Sequence, residues 1–307
     1  MKTSDIIQPL VSIGIPTYNR PNSLRKTLES VSLQTYQNLE IIVSDNCSPG
    51  EQTVLTVNEF LAKDNRIKFF RQEKNIGMEG NFPFVLKQAT GEYFMWLADD
   101  DWLDLNFIEE CTKFILKNPD YSLVSGRTKF YDENNNYLRD GEFFQIPFES
   151  PRKRVTCYYK NVYSNSFYYG ITKRKYLLAV GVITGLVADL LQISRLCLLG
   201  KLKMLDNTYS YRCSKGVSEN AEKLFEFLNI NKKLAKFASL LSWKVIFRDI
   251  LRLPKDKLNI LKKYLIIINI VIFRFIPKLF PFTKVFSFSK KKTMFLMSKL
   301  KNFIIKN

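Results

Sequence analysis

The sequence predicts an α/β protein over residues 1–218: a mostly parallel sheet with helices on both faces. A basic, amphipathic helical module is expected over residues 219–307. Three observations carry this division. Through the first 125 residues, short β-branched runs alternate with apolar positions at helical spacing. The chain has 307 residues, 46% of them hydrophobic, enough to bury a large core and too many for a disordered chain. The net charge of +18 is unevenly spread: residues 221–307 hold 20 Lys and Arg against 4 acids, whereas residues 1–220 hold 27 against 25.

Val11-Ser12-Ile13-Gly14-Ile15, ended by Pro16, reads as the first strand. Asn22 is placed to cap a helix carrying Leu24, Leu28 and Val31. Leu39–Val43 is a second strand, Val54, Val57, Phe60 and Leu61 mark a second helix, and Ile67–Phe70 is a third strand. Phe82–Ala89 is expected to be helical with Pro83 in its first turn, where proline is tolerated. Tyr93–Leu97 is a fourth strand. Phe107, Ile108, Cys111, Phe114 and Ile115 line a helix over 105–117, and Tyr121–Ser125 is another strand. Asp132–Asn136 has the composition of a hairpin turn between Phe130 and Tyr137. Tyr158, Tyr159, Tyr163, Phe167, Tyr168 and Tyr169 form a dense aromatic segment, readable as core packing or as a platform for a sugar acceptor.

The composition excludes several chemistries. Without a single His there is no Ser-His-Asp triad, no Cys-His dyad and no His-bound metal, so a general base must be a carboxylate, Lys, Tyr or Cys. The five Cys are scattered and form no CxxC, which argues against a disulfide framework and structural zinc and for a reducing compartment. Met1–Leu10 has no apolar run of signal-peptide length, so a cytoplasmic protein is expected. No GxGxxG follows the first strand and no GxxxxGK[ST] occurs, which removes the support for dinucleotide and P-loop readings.

In sheets of this class ligands bind beyond the carboxyl ends of the strands. Those ends carry Pro16-Thr17-Tyr18-Asn19-Arg20, Ser44-Asp45-Asn46 and Asp99-Asp100-Asp101. Three adjacent carboxylates repel one another unless a cation neutralises them, and oxygen ligands suit Mg²⁺ or Mn²⁺. Helix capping, with Asp104 at the start of 105–117, accounts for one or two such acids but not three at a strand end. Asp189 opens an apolar helix, where capping is again the plain alternative.

The first 215 residues resemble family 2 glycosyltransferases of the GT-A fold. The matching segments are VSIGIPTYNRPNSLRKTLESVSLQTYQNLEIIVSDNCS (Val11–Ser48), KNIGMEGN (Lys74–Asn81), GEYFMWLADDD (Gly91–Asp101) and VADLLQISRLCLLGK (Val187–Lys201), in order and at the usual distances. The resemblance implies a Rossmann-like sheet and an inverting transfer of a sugar from a nucleotide-diphosphate donor to a glycan or lipid-linked acceptor, in surface polysaccharide or glycoconjugate synthesis. Pro16, Thr17, Tyr18 and Arg20 match the loop that lines base and ribose, and Asp45 the acid that bonds the nucleobase. Asn75, Gly77 and Asn81 match the segment under ribose and phosphates, although the family often has Arg where Asn81 stands. Asp100 aligns with the principal metal ligand and Asp99 with a ribose contact; Asp101 can instead complete an Asp-x-Asp pair with Asp99. Ala98 stands where a frequent family form has its first Asp. Asp189 matches the catalytic base. Several members place a His after a Tyr-Arg pair; this chain has Tyr211-Arg212-Cys213-Ser214-Lys215, so Arg212 or Lys215 is expected to supply positive charge to the phosphates, unless the segment is a solvated basic loop.

The C-terminal module is expected to contain a helix over 222–252, an interruption at Pro254 and an apolar run at Tyr264–Phe273, which is too short to span a bilayer. No acid follows Asp256, while twelve basic residues do. Basic and apolar residues so interleaved suit peripheral contact with an anionic membrane, here its inner face. The other readings are a core-packing helix with a basic outer face, a nucleic-acid-binding protein and an inactive glycosyltransferase-like scaffold. Nucleic acid is disfavoured because acids at the strand ends repel phosphates.

Overall fold

The computed structural model describes residues 8–214, 222, 231 and 237–274. Its first half follows the alternation in the sequence: β1 (Val11–Thr17), α1 (Pro21–Ser32), β2 (Leu39–Asp45), α2 (Gln52–Leu61), β3 (Ile67–Arg71), α3 (Gly77–Gln88) and β4 (Tyr93–Trp96). These four strands are parallel, in the order β3-β2-β1-β4. Thr17 pairs with Asp45 at the carboxyl ends of β1 and β2, and Gly14 with Trp96 on β4. The three strand ends therefore open onto one edge.

Two starts differ from expectation. Helix α1 begins at Pro21 rather than after Asn22, because proline's fixed φ and missing N–H suit the first helical position. Helix α3 begins at Gly77, with Pro83 in its interior. Its start is set from outside: Asn46 Oδ1 accepts from the Ile76 amide at 2.8 Å and Asn75 Oδ1 from the Gly77 amide at 2.8 Å.

The second half adds β5 (Trp102–Leu103), α4 (Phe107–Lys117), β6 (Tyr121–Tyr131), β7 (Tyr137–Asp140), α5 (Pro151–Asn161), a 3₁₀ turn at Ser166–Tyr169, β8 (Ile171–Lys173), α6 (Arg174–Val180), α7 (Ala188–Leu199) and β9 (Lys201–Cys213). The sheet continues β4-β8-β6-β9-β5, with β7 on the flank of β6. Short antiparallel pairings join β8 to β4 and β6, and β5 to β9; the long β6–β9 pairing is parallel. Parallel register thus dominates, as the alternation predicts. The expected hairpin turn is present: Asp132 Oδ1 accepts from the amides of Asn134 at 2.9 Å and Asn136 at 2.8 Å.

Period-two alternation divides the core between the two faces of the sheet. Ile13, Ile15, Ile41 and Val43 pack with Leu24, Leu28, Val57, Phe107 and Ile108 from α1, α2 and α4. On the other face Ile42, Phe94, Trp96 and Leu123 pack with Val85, Tyr158, Tyr159, Leu196 and Cys197 from α3, α5 and α7. Most of the aromatic segment is therefore core: Tyr158, Tyr159 and Phe167 are wholly buried, while Tyr163 is exposed.

Two C-terminal helices, α8 (Ala238–Arg252) and α9 (Ile260–Arg274), flank the interruption at Pro254. Ile246, Ile250, Leu253, Leu258, Ile266, Ile267 and Ile270 join the core beside α5 and α7. The apolar face of this part is thus turned inward. Arg195 Nη2 of α7 meets Asp249 Oδ1 of α8 at 2.5 Å. Buried Lys263 donates to the Leu251 carbonyl at 3.0 Å and to that of Leu253, covering carbonyls at the end of α8. Among the described residues no helix is long and apolar enough to cross a membrane. The boundary at 218, the N-terminal part of the expected 222–252 helix (apart from residues 222 and 231) and everything after 274 lie outside the described residues.

Candidate functional site

The first half of the cleft is built by the ends of β1 and β2. Pro16 and Thr17 finish β1 and are buried, and Tyr18 projects outward with 45% of its surface exposed. Asp45 finishes β2, fully buried. Its Oδ1 accepts from the Ser48 amide at 3.1 Å and from the Ser48 hydroxyl, and its Oδ2 lies 3.5 Å from Arg71 Nε. The Ser48 hydroxyl in turn accepts from the Asn19 amide at 2.7 Å, tying the β1 and β2 loops together. Across the β3–α3 loop, Asn46 donates to Asn75 Oδ1 at 2.8 Å. Gly77 has φ +69°, a conformation that L side chains rarely adopt, and no atom lies where a Cβ would stand, so the glycine answers to the backbone alone. Asn81 is placed differently from its neighbours. Its carboxamide accepts from the Ser44 hydroxyl at 2.6 Å and donates to the Ser44 carbonyl at 2.9 Å, which spends both ends beneath β2.

The acidic turn after β4 forms the centre. Asp99 Oδ2 accepts from the Thr17 hydroxyl at 2.7 Å, and its Oδ1 meets Arg20 Nη1 at 3.2 Å. Burial beside Asp100 pushes its carboxyl up to about 6, against the pull of Arg20. Asp101 accepts from the Cys213 amide at 2.8 Å and from the Tyr169 hydroxyl, with Arg212 Nε at 3.8 Å. Burial and the neighbouring Asp100 raise its pKa as well. Asp100 is the most accessible of the three and bonds Arg20 Nη1 at 2.6 Å. Asp104 does not cap α4, where Asn106 stands at the N-cap; its carboxylate accepts from the Tyr209 amide at 2.8 Å and the Tyr211 hydroxyl at 2.5 Å, fastening β9 to the turn.

Among the described residues no three His, Cys, Asp or Glu side chains converge as a protein-only metal cage. Both oxygens of Asp99 and of Asp101 are engaged by protein donors, whereas Asp100, the most accessible of the three, meets Arg20 through Oδ2. The turn therefore fits a divalent cation held through Asp100 and the phosphates of a ligand, the mode Mg²⁺ favours, and does not fit a cage of three carboxylates.

The opposite wall comes from α7. Asp189 lies in its first turn, and no side chain caps the helix. Its Oδ2 accepts from Asn165 Nδ2 at 2.9 Å. Val187, just before the helix, has φ +56°; for a β-branched residue such a conformation costs roughly 1–3 kcal/mol and holds only where the surroundings fix it. Arg212 links the two walls. It is half-buried among Tyr169, Asp101, Asp189 and Glu142, which together hold its charge against desolvation, and its Nη1 donates to the Ser164 carbonyl at 3.0 Å.

The structure thus links Thr17, Arg20, Asp99 and Asp100 by direct bonds and Asp101 with Asp189 through Arg212, while Asp45, Asn75 and Gly77 stand in the neighbouring loops after β2 and β3. Lys215 lies outside the described residues. Sequence reasoning missed Tyr169, Asn165 and Glu142. Tyr169 and Asn165 carried only the signals of an aromatic run and an isolated Asn; Glu142 carried none.

The model of the family described as Glycosyl transferase family 2 matches residues 12–180. A Campylobacter jejuni protein described as GalNAc(5)-diNAcBac-PP-undecaprenol beta-1,3-glucosyltransferase is 41% identical over 96 residues, 31% of this chain and 31% of its own length. "Glycosyltransferase GlyA" of Streptococcus pneumoniae is 30% identical over 161 residues, 52% of this chain and 21% of its own. The chain spans between 19% and 52% of the length of the curated relatives it matches. Among solved structures, S. aureus TarS 1–349 in complex with UDP-GlcNAc superposes with TM-score 0.62 at 18% identity, covering 89% of this chain and 73% of that one. Mannosyltransferase PcManGT from Pyrobaculum calidifontis, in complex with GDP-Man and Mn²⁺, gives TM-score 0.56 at 12% identity over 98% and 81%. At these identities the likeness is one of fold, and the fold is GT-A.

Proposed function

Because the chain belongs to glycosyl transferase family 2, we propose that it transfers a sugar from a nucleotide-diphosphate sugar to a hydroxyl of a glycan or lipid-linked acceptor, with inversion, in the synthesis of a surface polysaccharide or glycoconjugate. One observation carries the reading. The acidic turn and Asp189 are brought together through half-buried Arg212, which lies 3.8 Å from Asp101 and feels the charges of both Asp101 and Asp189.

The family motifs and the contacts described above support the following roles. Asp45 and the loop from Pro16 to Arg20 bind the nucleoside, Asp99 the ribose, and Asn75 and Gly77 lie beneath it; Asn81 acts from below through Ser44. Asp100 would hold Mg²⁺ or Mn²⁺, which when bound offsets the charge developing on the leaving diphosphate. Arg20 and Arg212 add fixed positive charge on the same side. Asp189 takes the proton of the acceptor hydroxyl as that oxygen attacks the anomeric carbon. A single displacement from the face opposite the leaving group inverts the centre, and holding both substrates in line removes much of the entropic barrier. The relatives guide the choice of probes: a UDP-GlcNAc-bound structure and a glucosyltransferase whose name includes an undecaprenyl-linked glycan make UDP-GlcNAc and UDP-glucose the first donors to try.

The twelve basic residues after Asp256, with no acid among them, support a cytoplasmic enzyme resting on the inner face of the membrane, near a lipid-linked acceptor. Since the apolar face of α8 and α9 is buried as far as Ile270, contact falls to exposed basic side chains and to residues beyond 274.

A panel of nucleotide sugars tested for thermal stabilisation with and without Mg²⁺ or Mn²⁺ examines the donor reading. Metal-dependent stabilisation by at least one, lost in Asp100→Ala, is expected. No shift with any donor would overturn it.

A further inference from the structure

Asn165 lies within the range of the family match but outside the four motif segments, yet its surroundings are unusually determined. It is 2% exposed and sits at φ +51°, in the left-handed region where Asn is several-fold enriched among non-glycine residues. Its carboxamide lies between two hydrogen-bonding groups. Nδ2 donates to Asp189 Oδ2 at 2.9 Å, and Oδ1 accepts from the Tyr158 hydroxyl at 2.8 Å.

The direction of this chain is set by Asp189, since a carboxylate only accepts and must meet the amide through Nδ2. That leaves Oδ1 for the Tyr158 hydroxyl, which is wholly buried, keeps its proton and donates it. The reversed amide would set its carbonyl against the carboxylate.

The turn is held from both sides. Glu142, 4% exposed, accepts from the Ser164 amide at 3.0 Å through Oε2 and from the Ser166 amide at 2.8 Å through Oε1. One buried carboxylate thus grips both neighbours of Asn165. Arg212 adds its bond to the Ser164 carbonyl at 3.0 Å. A left-handed residue clamped in this way cannot drift with the loop.

We infer that Asn165 is the positioning residue of the base, set by Tyr158 and Glu142, and that it fixes the Asp189 carboxylate by one oxygen so that the other faces the acceptor hydroxyl. The inference rests on Asp189 as the base. Asn165 acts through Asp189. Its effect belongs to the step that needs alignment, where misplacement of about 1 Å is worth on the order of a hundredfold in rate.

The test compares Asn165→Gly, Tyr158→Phe and Asp189→Asn with the wild-type chain, using UDP release from UDP-GlcNAc or UDP-glucose with the acceptor that supports turnover. Glycine keeps the left-handed backbone and deletes only the carboxamide. For Asn165→Gly, kcat is expected to fall by one to two orders of magnitude, with donor KM and donor-induced thermal stabilisation unchanged. Tyr158→Phe should fall less, because the amide is retained but no longer oriented. If Asn165→Gly and Tyr158→Phe keep wild-type kcat while Asp189→Asn is inactive, the positioning role is overturned and the base stands. Should Asp189→Asn turn over normally, or the wild type transfer nothing, the base reading falls and takes the inference with it. Loss of donor binding in Asn165→Gly together with kcat would make the residue merely structural and also reject the inference.

Discussion

Arg20 Nη1 lies 2.6 Å from Asp100 Oδ2, so the most accessible carboxylate of the acidic turn is neutralised by the loop that follows β1. Arg20 reaches Asp99 with the same nitrogen. A cation approaching Asp100 meets an oxygen already paired with a guanidinium, and must take its place. Arg20→Ala should therefore tighten binding of Mn²⁺ alone several-fold while weakening the nucleotide sugar, because the substitution removes a competitor for one and a partner for the other. Calorimetric titration with Mn²⁺, then with donor, separates the two effects; parallel changes in both would refute this account.

Asp189 offers one oxygen to Asn165 and opens an apolar helix in the opposite wall. Asp189→Asn retains size and removes basicity. Donor affinity should be unchanged and transfer reduced by about 10²–10⁴-fold, the usual contribution of a positioned general base. Steady-state kinetics alongside donor-induced thermal shifts would check both halves.

Far from the cleft, Glu40 ties β2 to the start of β4. Burial opposes its ionisation, but Lys68, Ser12 and Thr90 together hold the carboxyl down to about 2. The unfolded chain takes up this proton near 4.5, the folded chain only near 2. Its contribution is thus complete above about 4.5 and is lost as pH falls from there toward 2. Glu40→Gln should cost on the order of 1–3 kcal/mol at neutral pH and flatten the acid limb of the stability curve. Urea titrations at several pH values would test it; a wild-type slope in the variant would exclude Glu40 as the source.

The half-buried pair of Arg195 and Asp249 fastens α8 to the helix that carries Asp189. Asp249→Ala strands the guanidinium and should destabilise the fold by about 2–3 kcal/mol, less than a fully buried pair because Arg195 is partly solvated. A chain ending at Arg274 keeps α8 and α9 in the core, so it should melt near the full-length value and yet lose salt-sensitive binding to anionic vesicles. Cosedimentation at low and high salt reads this directly; equal partitioning of both chains would reject membrane contact by the last 33 residues.

The sequence made the first half of this fold legible because its elements announce themselves locally. Ile41 and Val43 face one core and Ile42 the other, and Leu24, Leu28 and Val31 repeat at helical spacing. The second half depends on distant partners. Trp102–Leu103 is a strand only because Tyr211 and Ser210 lie beside it, and Lys201–Cys213 mixes charged and apolar residues without a clean period. The site divides in the same way. Asp45, Asp100 and Asp189 sit in motifs that resemble a family, whereas Asn165 owes its place to a left-handed backbone and to carboxylates 23 residues upstream and 24 residues downstream. No local pattern encodes that conjunction.

The position of β8 between β4 and β6 has a consequence for how the protein assembles. Strands β1 to β4 can pair as the chain runs, through successive crossovers. The opposite wall closes only when Tyr169 reaches Asp101 across 68 residues and the Cys213 amide reaches it across 112. Loop-closure entropy makes such contacts late ones. The half built on β1 to β4 should thus gain protection first and the second half last, an order that pulsed hydrogen exchange would reveal as early protection at Ile13 and Ile41 and late protection at Met204.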